Sequence, residues 1–309
     1  MFSYLLRRVA YVLPLLVGIT FFAFLLLSAL PGDPALSLVG ERASPEVIEK
    51  IRAEIGSDKP FAIRYLGYLK MLLQGEMGAS YFTKRDVFGE LMEKFPNTLR
   101  LALAAMAIAA PLGVLLGFLA AARQGRVADR LISSFSIAGL SVPVFWSGLI
   151  IMLFVSLKLK LLPPSGTGGM RFLVLPAVTL ALPALATIVR ITRTSVIDIA
   201  SMPFIRTARA KGLEGMRVQT VHILKNVIIP VVTVVGLEFG SYLNGAVLTE
   251  TIFGWDGVGK FAMEGILKRD YPVIMGCIIA GTLAFVLVNI AVDVLYHYLD
   301  PRIRLHEGH

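Results

Sequence analysis

The sequence has few charged residues and only one cysteine. Of its 309 residues, 17% are charged and 56% are hydrophobic, and the mean hydropathy is +0.75. Soluble domains have about 25% charged and about 45–50% apolar residues, so lipid must be the solvent for much of this chain. Cys277 has no second cysteine to pair with, which excludes an intrachain disulfide and a cysteine-based metal cluster.

The motifs that carry common catalytic chemistry are also missing. There is no His-Glu-x-x-His or Gly-x-Ser-x-Gly pattern, and Gly259-Lys260 is followed by Phe261 where a phosphate-binding loop needs Ser or Thr. His306 and His309 lie in the C-terminal tail, where solvated side chains are a better interpretation than metal ligands. We therefore predict that the chain is not an enzyme, holds no metal or cofactor, and cannot hydrolyse ATP.

The sequence does contain six apolar segments, each close to the ~20 residues that a helix needs to cross the hydrocarbon core of a bilayer. They cover residues 9–30, 98–122, 132–157, 173–195, 227–249 and 272–298. The first is too long for the apolar part of a secretory signal peptide, and no clear cleavage site follows it, so we expect it to be retained. The predicted fold class is an all-α polytopic membrane protein with about six transmembrane helices.

The distribution of Lys and Arg predicts how these spans are oriented. The N-terminus, the second and fourth connections and the tail hold 14 of these residues, whereas the third and fifth connections hold six. Basic residues collect in cytoplasmic loops, so both termini and the loop 201–230 are predicted to be cytoplasmic. The same rule accounts for the net charge of +9 without nucleic acid as a partner.

The predicted spans divide the chain into four parts. These are an N-terminal tail with the first transmembrane helix (1–30), an extracytoplasmic helical insertion (31–97), a transmembrane core that carries the loop 201–230 (98–298) and a cytoplasmic tail (299–309).

The insertion is predicted to hold three short helices. Ser44 precedes the first and Gly56 closes it, the second follows Pro60, and Asp86 caps a third that ends at Pro96. Two roles are open for it: a surface for a substrate-delivering protein, or a lid that contacts no partner.

Several apolar segments contain proline and glycine. Pro143 and Pro183 are expected to kink their helices, because neighbouring helices can satisfy the backbone groups that a proline frees. Gly113, Gly117 and Gly139 are expected to let helices pack closely, since a helix without a side chain at the contact can approach its neighbour.

The loop 201–230 is the longest polar interruption in the second half of the chain. Ser201 is predicted to cap a short helix with Pro203 in its first turn, and Gly212 to end that helix in a left-handed conformation. A second short helix is predicted to begin near Glu214. Small residues on the first helix, such as Ala208, would let the surface of another protein approach closely.

Polar residues within the last two spans are few. Glu238, Ser241 and Tyr242 are three and four positions apart and are predicted to share a helix face that, with Asn244, lines a translocation path. Two rival functions are weighed against transport by a multisubunit complex. A membrane-embedded enzyme would use Glu238 and Asp293 as its acid pair, and an ion-coupled secondary carrier would show broken spans repeated between its halves.

The polar loop also carries a recognisable motif. Residues Arg206 to Leu213 read RTARAKGL, and they are followed by His222, Leu224, Asn226 and Pro230. This pattern resembles the coupling (EAA) loop of ABC importer permeases, in the branch that imports dipeptides, oligopeptides, nickel and glutathione. Ala208 and Gly212 match the second alanine and the glycine of the family pattern, whereas Arg206 and Thr207 replace its Glu and first Ala.

Four further segments follow the order found in the same family, so the resemblance runs from about Tyr4 to Arg304. They are Leu30-Pro31-Gly32-Asp33-Pro34-Ala35, Glu250 to Gly259, Arg269 to Ile274, and Asp300 to Arg304.

The resemblance implies an inner-membrane permease that forms half of a translocation path and is driven by partner subunits. The implied partners are a second homologous permease, two ATPase subunits that bind ATP and Mg²⁺, an extracytoplasmic solute-binding protein, and membrane lipid. The substrate is implied to be a di- or oligopeptide, with a nickel chelate or glutathione as alternatives. The implied coupling residues are Arg206, Thr207, Ala208, Arg209, Ala210, Lys211, Gly212 and Leu213.

Overall fold

A computed structural model describes residues 2–29, 32–40, 43–213 and 215–299, with no side chains described for 2–10, 216 and 296–299. Leu30 and Pro31 of the first motif, Glu214, and the tail motif from Asp300 to Arg304 therefore lie outside the described residues, as does the tail 299–309 beyond its first residue. The described residues form helices and no named strand; Ala79 and Asp86 make an isolated antiparallel bridge.

Fourteen α-helices and two π-helical segments make up the described chain. The α-helices are α1 Phe2–Ala29, α2 Pro34–Val39, α3 Pro45–Ile55, α4 Phe61–Leu73, α5 Val87–Ala122, α6 Val127–Ser141, α7 Val144–Ile151, α8 Met170–Ser201, α9 Pro203–Ala210, α10 Gly215–Arg217, α11 Leu224–Leu243, α12 Val247–Ile252, α13 Val258–Lys268 and α14 Tyr271–Leu299. The π-helical segments are Met152–Lys158 after α7 and Val218–Ile223 before α11.

Helix contacts divide the chain into two compact units. Unit 1 comprises residues 1–98, 244–251 and 256–286, and unit 2 comprises residues 99–243, 252–255 and 287–309.

The core of unit 1 consists of two apolar clusters. One is rich in aromatic and methionine side chains and brings together Phe24, Tyr65, Tyr68, Tyr271 and Met275, with further apolar residues around them. The other contains Val87, Leu91, Val258, Phe261, Val273 and Cys277. Cys277 is a free cysteine buried in the second cluster.

The helices of the insertion begin where the sequence predicts them to begin. Ser44 precedes α3 without a side-chain capping bond, Gly56 ends α3 with a φ of 70°, and the Asp86 carboxylate accepts a hydrogen bond of 2.7 Å from Gly89 N–H. The predicted end at Pro96 is wrong, because α5 continues from Val87 to Ala122. The third helix of the insertion and the second span are one helix, since a proline inside a membrane helix is tolerated when neighbouring groups satisfy the backbone.

Unit 2 is built around α8, which packs against α6, α7 and α11. A Cβ atom at Gly113 would lie 2.7 Å from Ile188 Cγ2, and one at Gly117 would lie 2.5 Å from Thr192 Cβ. The two glycines therefore allow α5 to lie closely against α8. Close packing is confirmed as their role.

Among the described residues, five helices are long and apolar enough to cross a membrane, and a sixth span is present if one bent pair is counted. The bent pair replaces the continuous helix predicted over 132–157. The chain bends by 103° between α6 and the helix that starts at Val144. Pro143 is the physical cause, because it drives Val142 out of the helical conformation, to a ψ of 125°. The span predicted over 227–249 is also too long, since α11 ends at Leu243 and Gly245 adopts a φ of 105°.

Candidate coupling surface and transport path

The polar loop begins one residue later than predicted. Ser201 is the last residue of α8, and its hydroxyl donates to the Asp198 carbonyl at 2.7 Å rather than capping α9. Met202 takes the N-cap position and Pro203 the first helical position. The proline explains the shift, because a residue before proline is held in an extended conformation, here with a ψ of 147°.

Helix α9 has one face turned into the chain and one face turned out. Ile205 and Ala208, three positions apart, are buried in unit 2. Ala208 was expected to meet another protein, and in the structure its methyl group packs inward. The exposed positions are Arg206, Thr207, Arg209, Ala210, Lys211 and Gly212, and Leu213 is partly buried.

Apolar side chains lie beside these basic ones. Met202 and Phe204 are each 42% exposed, next to Arg206 and Arg209. A short exposed surface that combines an aromatic ring, a methionine and arginines has the composition typical of the centre of a protein–protein interface. We call the exposed residues of 202–212 the α9 surface.

Gly212 ends α9 as the sequence predicts. Its φ is +84°, its N–H donates to Arg209 O at 3.0 Å, and Leu213 N–H donates to Ala208 O at 3.3 Å. This is the left-handed helix end that favours glycine. A Cβ atom at Gly212 would meet no atom within 4 Å, so only the backbone conformation requires glycine here.

The second helix of the loop is not short. α10, the π-helical segment Val218–Ile223 and α11 follow one another from Gly215 to Leu243. The prediction of two short helices was wrong because no glycine or proline stands between Gly215 and Pro230 to stop the helix. A single helical rod therefore leads from the α9 surface into a membrane span.

The four residues predicted to line the path do not all lie on one surface. Tyr242 is buried and its hydroxyl donates to Leu180 O on α8 at 2.7 Å, while Glu238 is half-buried and hydrogen-bonds with Thr187 of α8. Ser241 is exposed, and Asn244 is exposed beyond the end of α11. The structure thus brings Glu238 and Tyr242 together against α8 and leaves the other two outside that contact. Among the residues described, no group of three His, Cys, Asp or Glu side chains comes together as metal ligands would.

The chain is similar in sequence to a known family of membrane proteins. Residues 113–305 match the family described as "Binding-protein-dependent transport system inner membrane component", and residues 1–102 match the model of its N-terminal part. The chain belongs to this family. It is a multi-pass inner-membrane permease and a transport component.

Several curated permeases are similar over nearly their whole length. The di/tripeptide transport system permease protein DppB of Pseudomonas aeruginosa strain UCBPP-PA14 is 40% identical, and the dipeptide transport system permease protein DppB of Escherichia coli K12 is 38% identical. The glutathione transport system permease protein GsiC of Escherichia coli O6:H1 is 36% identical. Each alignment covers 98% of this chain and 99% of the relative.

Among solved structures, the inward-facing MetNI methionine ABC transporter has a chain with the same fold. The TM-score is 0.58 at 15% identity, over 69% of this chain and 97% of that chain. The all-α fold of the permease is thereby confirmed.

The structure also reveals a buried carboxylate in unit 1, to which the sequence alone assigned no role. Glu250 on α12 is fully buried and accepts hydrogen bonds from the Thr98 hydroxyl at 2.8 Å and from Lys260 N–H at 3.0 Å. Thr98 in turn accepts from Val258 N–H at 2.9 Å. The carboxylate therefore lies at the N-terminus of α13, where backbone N–H groups favour an anion. Burial raises the pKa of Glu250, although the hydrogen bonds from Lys260 and Thr98 act in the opposite direction.

A second buried charge joins two helices of unit 2. Arg193 on α8 binds the buried Asp129 carboxylate on α6 with two bonds, Nε to Oδ1 at 2.5 Å and Nη2 to Oδ2 at 2.8 Å. Gly125 N–H donates to the same carboxylate at 2.9 Å. In the sequence, Arg193 is one of the basic residues of the fourth connection. Nothing near it in the chain predicts that it pairs with an acid 64 positions away.

Proposed function

We propose that the permease is one of two homologous membrane subunits of an ATP-driven importer for di- or oligopeptides. Relatives that transport dipeptides and tripeptides, at 38–40% identity, support peptides as the substrate class. A glutathione permease at 36% identity supports glutathione, itself a small peptide, as the second candidate. Two ATPase subunits with bound ATP and Mg²⁺ and an extracytoplasmic solute-binding protein complete the proposed complex.

In the proposed topology both termini and the loop 201–230 are cytoplasmic, and the insertion 31–97 is extracytoplasmic and meets the solute-binding protein. The bias of Lys and Arg between the connections supports this orientation. The α9 surface then faces the ATPase subunit.

We base the proposed coupling between ATP hydrolysis and transport on the continuous helix that joins the α9 surface to a membrane span. The α9 surface is exposed, Gly212 ends it with a fixed turn, and a rod from Gly215 to Leu243 follows. A displacement of α9 by an ATPase subunit would be transmitted along this rod to Glu238 and Tyr242, which contact α8. Packed helices move as units, so a small displacement at the loop changes the packing of α11 against α8.

Gly212→Val is expected to lower both ATP hydrolysis stimulated by the loaded binding protein and peptide uptake, by several-fold. A left-handed conformation costs a non-glycine residue about 1–2 kcal/mol, so the turn and the α9 surface would shift away from the docked geometry. The measurement is ATP hydrolysis by the purified complex, with and without loaded binding protein, together with uptake in vesicles.

Two glycines provide matched controls for Gly212→Val. Gly168 has a φ of 120° and open space around it and lies outside the loop 201–230, so Gly168→Val introduces the strain alone. Gly215 has open space and no left-handed conformation, so Gly215→Val introduces the side chain alone. Both should keep coupled hydrolysis. If Gly212→Val matches them, the loop 201–230 is not the coupling element.

Glu238→Leu is expected to reduce uptake several-fold while the complex with its partner subunits is still recovered. The carboxylate is half-buried and hydrogen-bonds with Thr187, so leucine removes a polar group from the contact between α11 and α8. Glu238→Gln keeps a hydrogen-bonding group of the same shape and should retain more uptake. Loss of assembly in Glu238→Leu would assign Glu238 to packing, and unchanged uptake would remove it from the path.

A further inference from the structure

A pocket of about 350 Å³ in unit 1 lies among α1, α4, α14 and the end of α3. Its lining combines two cations, Lys59 and Arg64, with apolar and aromatic side chains that include Phe24, Tyr68 and Met275. No Asp or Glu is among the lining residues. The lining of the pocket therefore combines positive charge with apolar surface.

The depth of the pocket follows from the ends of two membrane spans. The apolar span of α1 ends at Ala29, and Phe24 lies five residues before that end; the span of α14 begins at Tyr271, and Met275 lies four residues after it. At 1.5 Å per helical residue, both side chains lie about 6–8 Å along their helices from those ends. The pocket therefore lies beside the ends of two spans, the part of a span that is nearest to the lipid head groups.

Helix α4 packs beside the membrane span of α1 and has an exposed apolar side. Leu66 and Leu73 on that side are 64% and 89% exposed, whereas Tyr65 packs inward and donates to Val17 O of α1 at 3.0 Å. An amphipathic helix with an apolar outer face and basic residues is typical of membrane surfaces. Tyrosines such as Tyr68 are also enriched at this depth.

Three polar side chains of the pocket, Lys59, Arg64 and Tyr68, form no side-chain hydrogen bond or ion pair within the described part of the chain. Neither Lys59 nor Arg64 forms an ion pair within the described part of the chain; the guanidinium of Arg64 lies 5.4 Å from the centre of the Phe24 ring. The Tyr68 hydroxyl is buried and has no hydrogen-bond partner among the residues described. A buried hydroxyl without an acceptor destabilises the fold. An anionic ligand with several oxygen atoms would accept hydrogen bonds from Lys59, Arg64 and the Tyr68 hydroxyl together.

We propose that this pocket binds an anionic phospholipid of the leaflet in which α1 ends. The phosphate lies between Lys59 and Arg64, with the Tyr68 hydroxyl as a further donor, and the glycerol and the first acyl carbons contact Phe24 and Met275. A free phosphate ion would use the cations but not the apolar wall. A lipid uses both, and lipid surrounds the two spans beside which the pocket lies.

The test uses the whole importer complex, reconstituted in nanodiscs of equimolar phosphatidylcholine and phosphatidylglycerol and then extracted into mild detergent. The double variant Lys59→Gln, Arg64→Gln should retain about tenfold less phosphatidylglycerol by mass spectrometry, as expected for the loss of charge-assisted bonds to a phosphate. The control Lys50→Gln, Lys70→Gln removes the same charge from exposed positions of α3 and α4 outside the pocket and should retain the wild-type amount.

Three results would overturn the proposal. Equal losses from both double variants would indicate attraction to the surface charge alone. Displacement of phosphatidylglycerol by inorganic phosphate would indicate an ion site. Displacement by a dipeptide would place the pocket on the substrate path. Phosphatidylglycerol should also raise the midpoint of thermal unfolding of the wild type above its value in phosphatidylcholine, and this shift should be absent in Lys59→Gln, Arg64→Gln.

Discussion

Arg193→Leu should destabilise the permease by about 3–5 kcal/mol, the usual effect of removing one partner from a buried ion pair. Asp129 is buried, and Arg193 provides two of the hydrogen bonds that hold its carboxylate. Leucine would leave that carboxylate between α6 and α8 with only the Gly125 N–H and the Ser133 hydroxyl as donors. The expected result is a large drop in the midpoint of thermal unfolding of the complex in nanodiscs.

The matched control for this prediction lies on the same helix. Arg190 is exposed on α8 and has no ion pair within the described residues, so Arg190→Leu should change stability by less than about 0.5 kcal/mol. The double variant Asp129→Leu, Arg193→Leu removes the uncompensated charge and should recover much of the loss. Equal midpoints for Arg193→Leu and Arg190→Leu would show that the pair with Asp129 does not hold α6 on α8.

The sequence predicts those parts of the fold that depend on local chemistry. Apolar length locates the spans, and turn chemistry locates Gly56, Asp86 and Gly212, because the conformation at each position depends on neighbouring residues. Proline is the least reliable of these local signals. Pro96 was expected to stop a helix and lies within α5, whereas Pro143 was expected to kink a span and turns it by 103°. The surrounding packing decides between these outcomes, and it is not visible along the chain.

For the candidate site as well, the sequence indicates local features but not the packing between helices. The RTARAKGL segment identifies the loop, but the small size of Ala208 did not reveal that it faces inward. The second helix of the loop was predicted to be short, but it continues into the membrane span. A helix is ended by a residue such as glycine or proline, and none lies between Gly215 and Pro230. Contacts between distant positions, such as Asp129 with Arg193, require the structure.

Replacement of Glu250 should have an effect of similar size, in unit 1. Glu250→Leu would leave the buried Thr98 hydroxyl and the partly buried N–H of Lys260 without an acceptor, and such a loss costs about 1–3 kcal/mol for a buried donor. We expect a total of about 3 kcal/mol or more and a loss of recovered complex. The matched control is Glu264→Leu on the exposed side of α13, whose ion pair with Lys260, 3.8 Å long, is worth about 0–1 kcal/mol.

The pH dependence of unfolding shows how the charge of Glu250 affects stability, independently of the shape of its side chain. Burial raises the pKa of this carboxyl above its usual value of 4.5, so the folded permease holds the proton more tightly than the unfolded chain does. The stabilising contribution of the protonated form is then complete below the unfolded pKa and is lost as the pH rises through the folded pKa. Glu250→Gln has the same shape and cannot titrate, so its unfolding midpoint should lack this fall when both proteins are heated across a pH series. A wild-type midpoint that instead rises over that range would mean that the hydrogen bonds from Thr98 and Lys260 outweigh burial and keep Glu250 ionised at the start of α13.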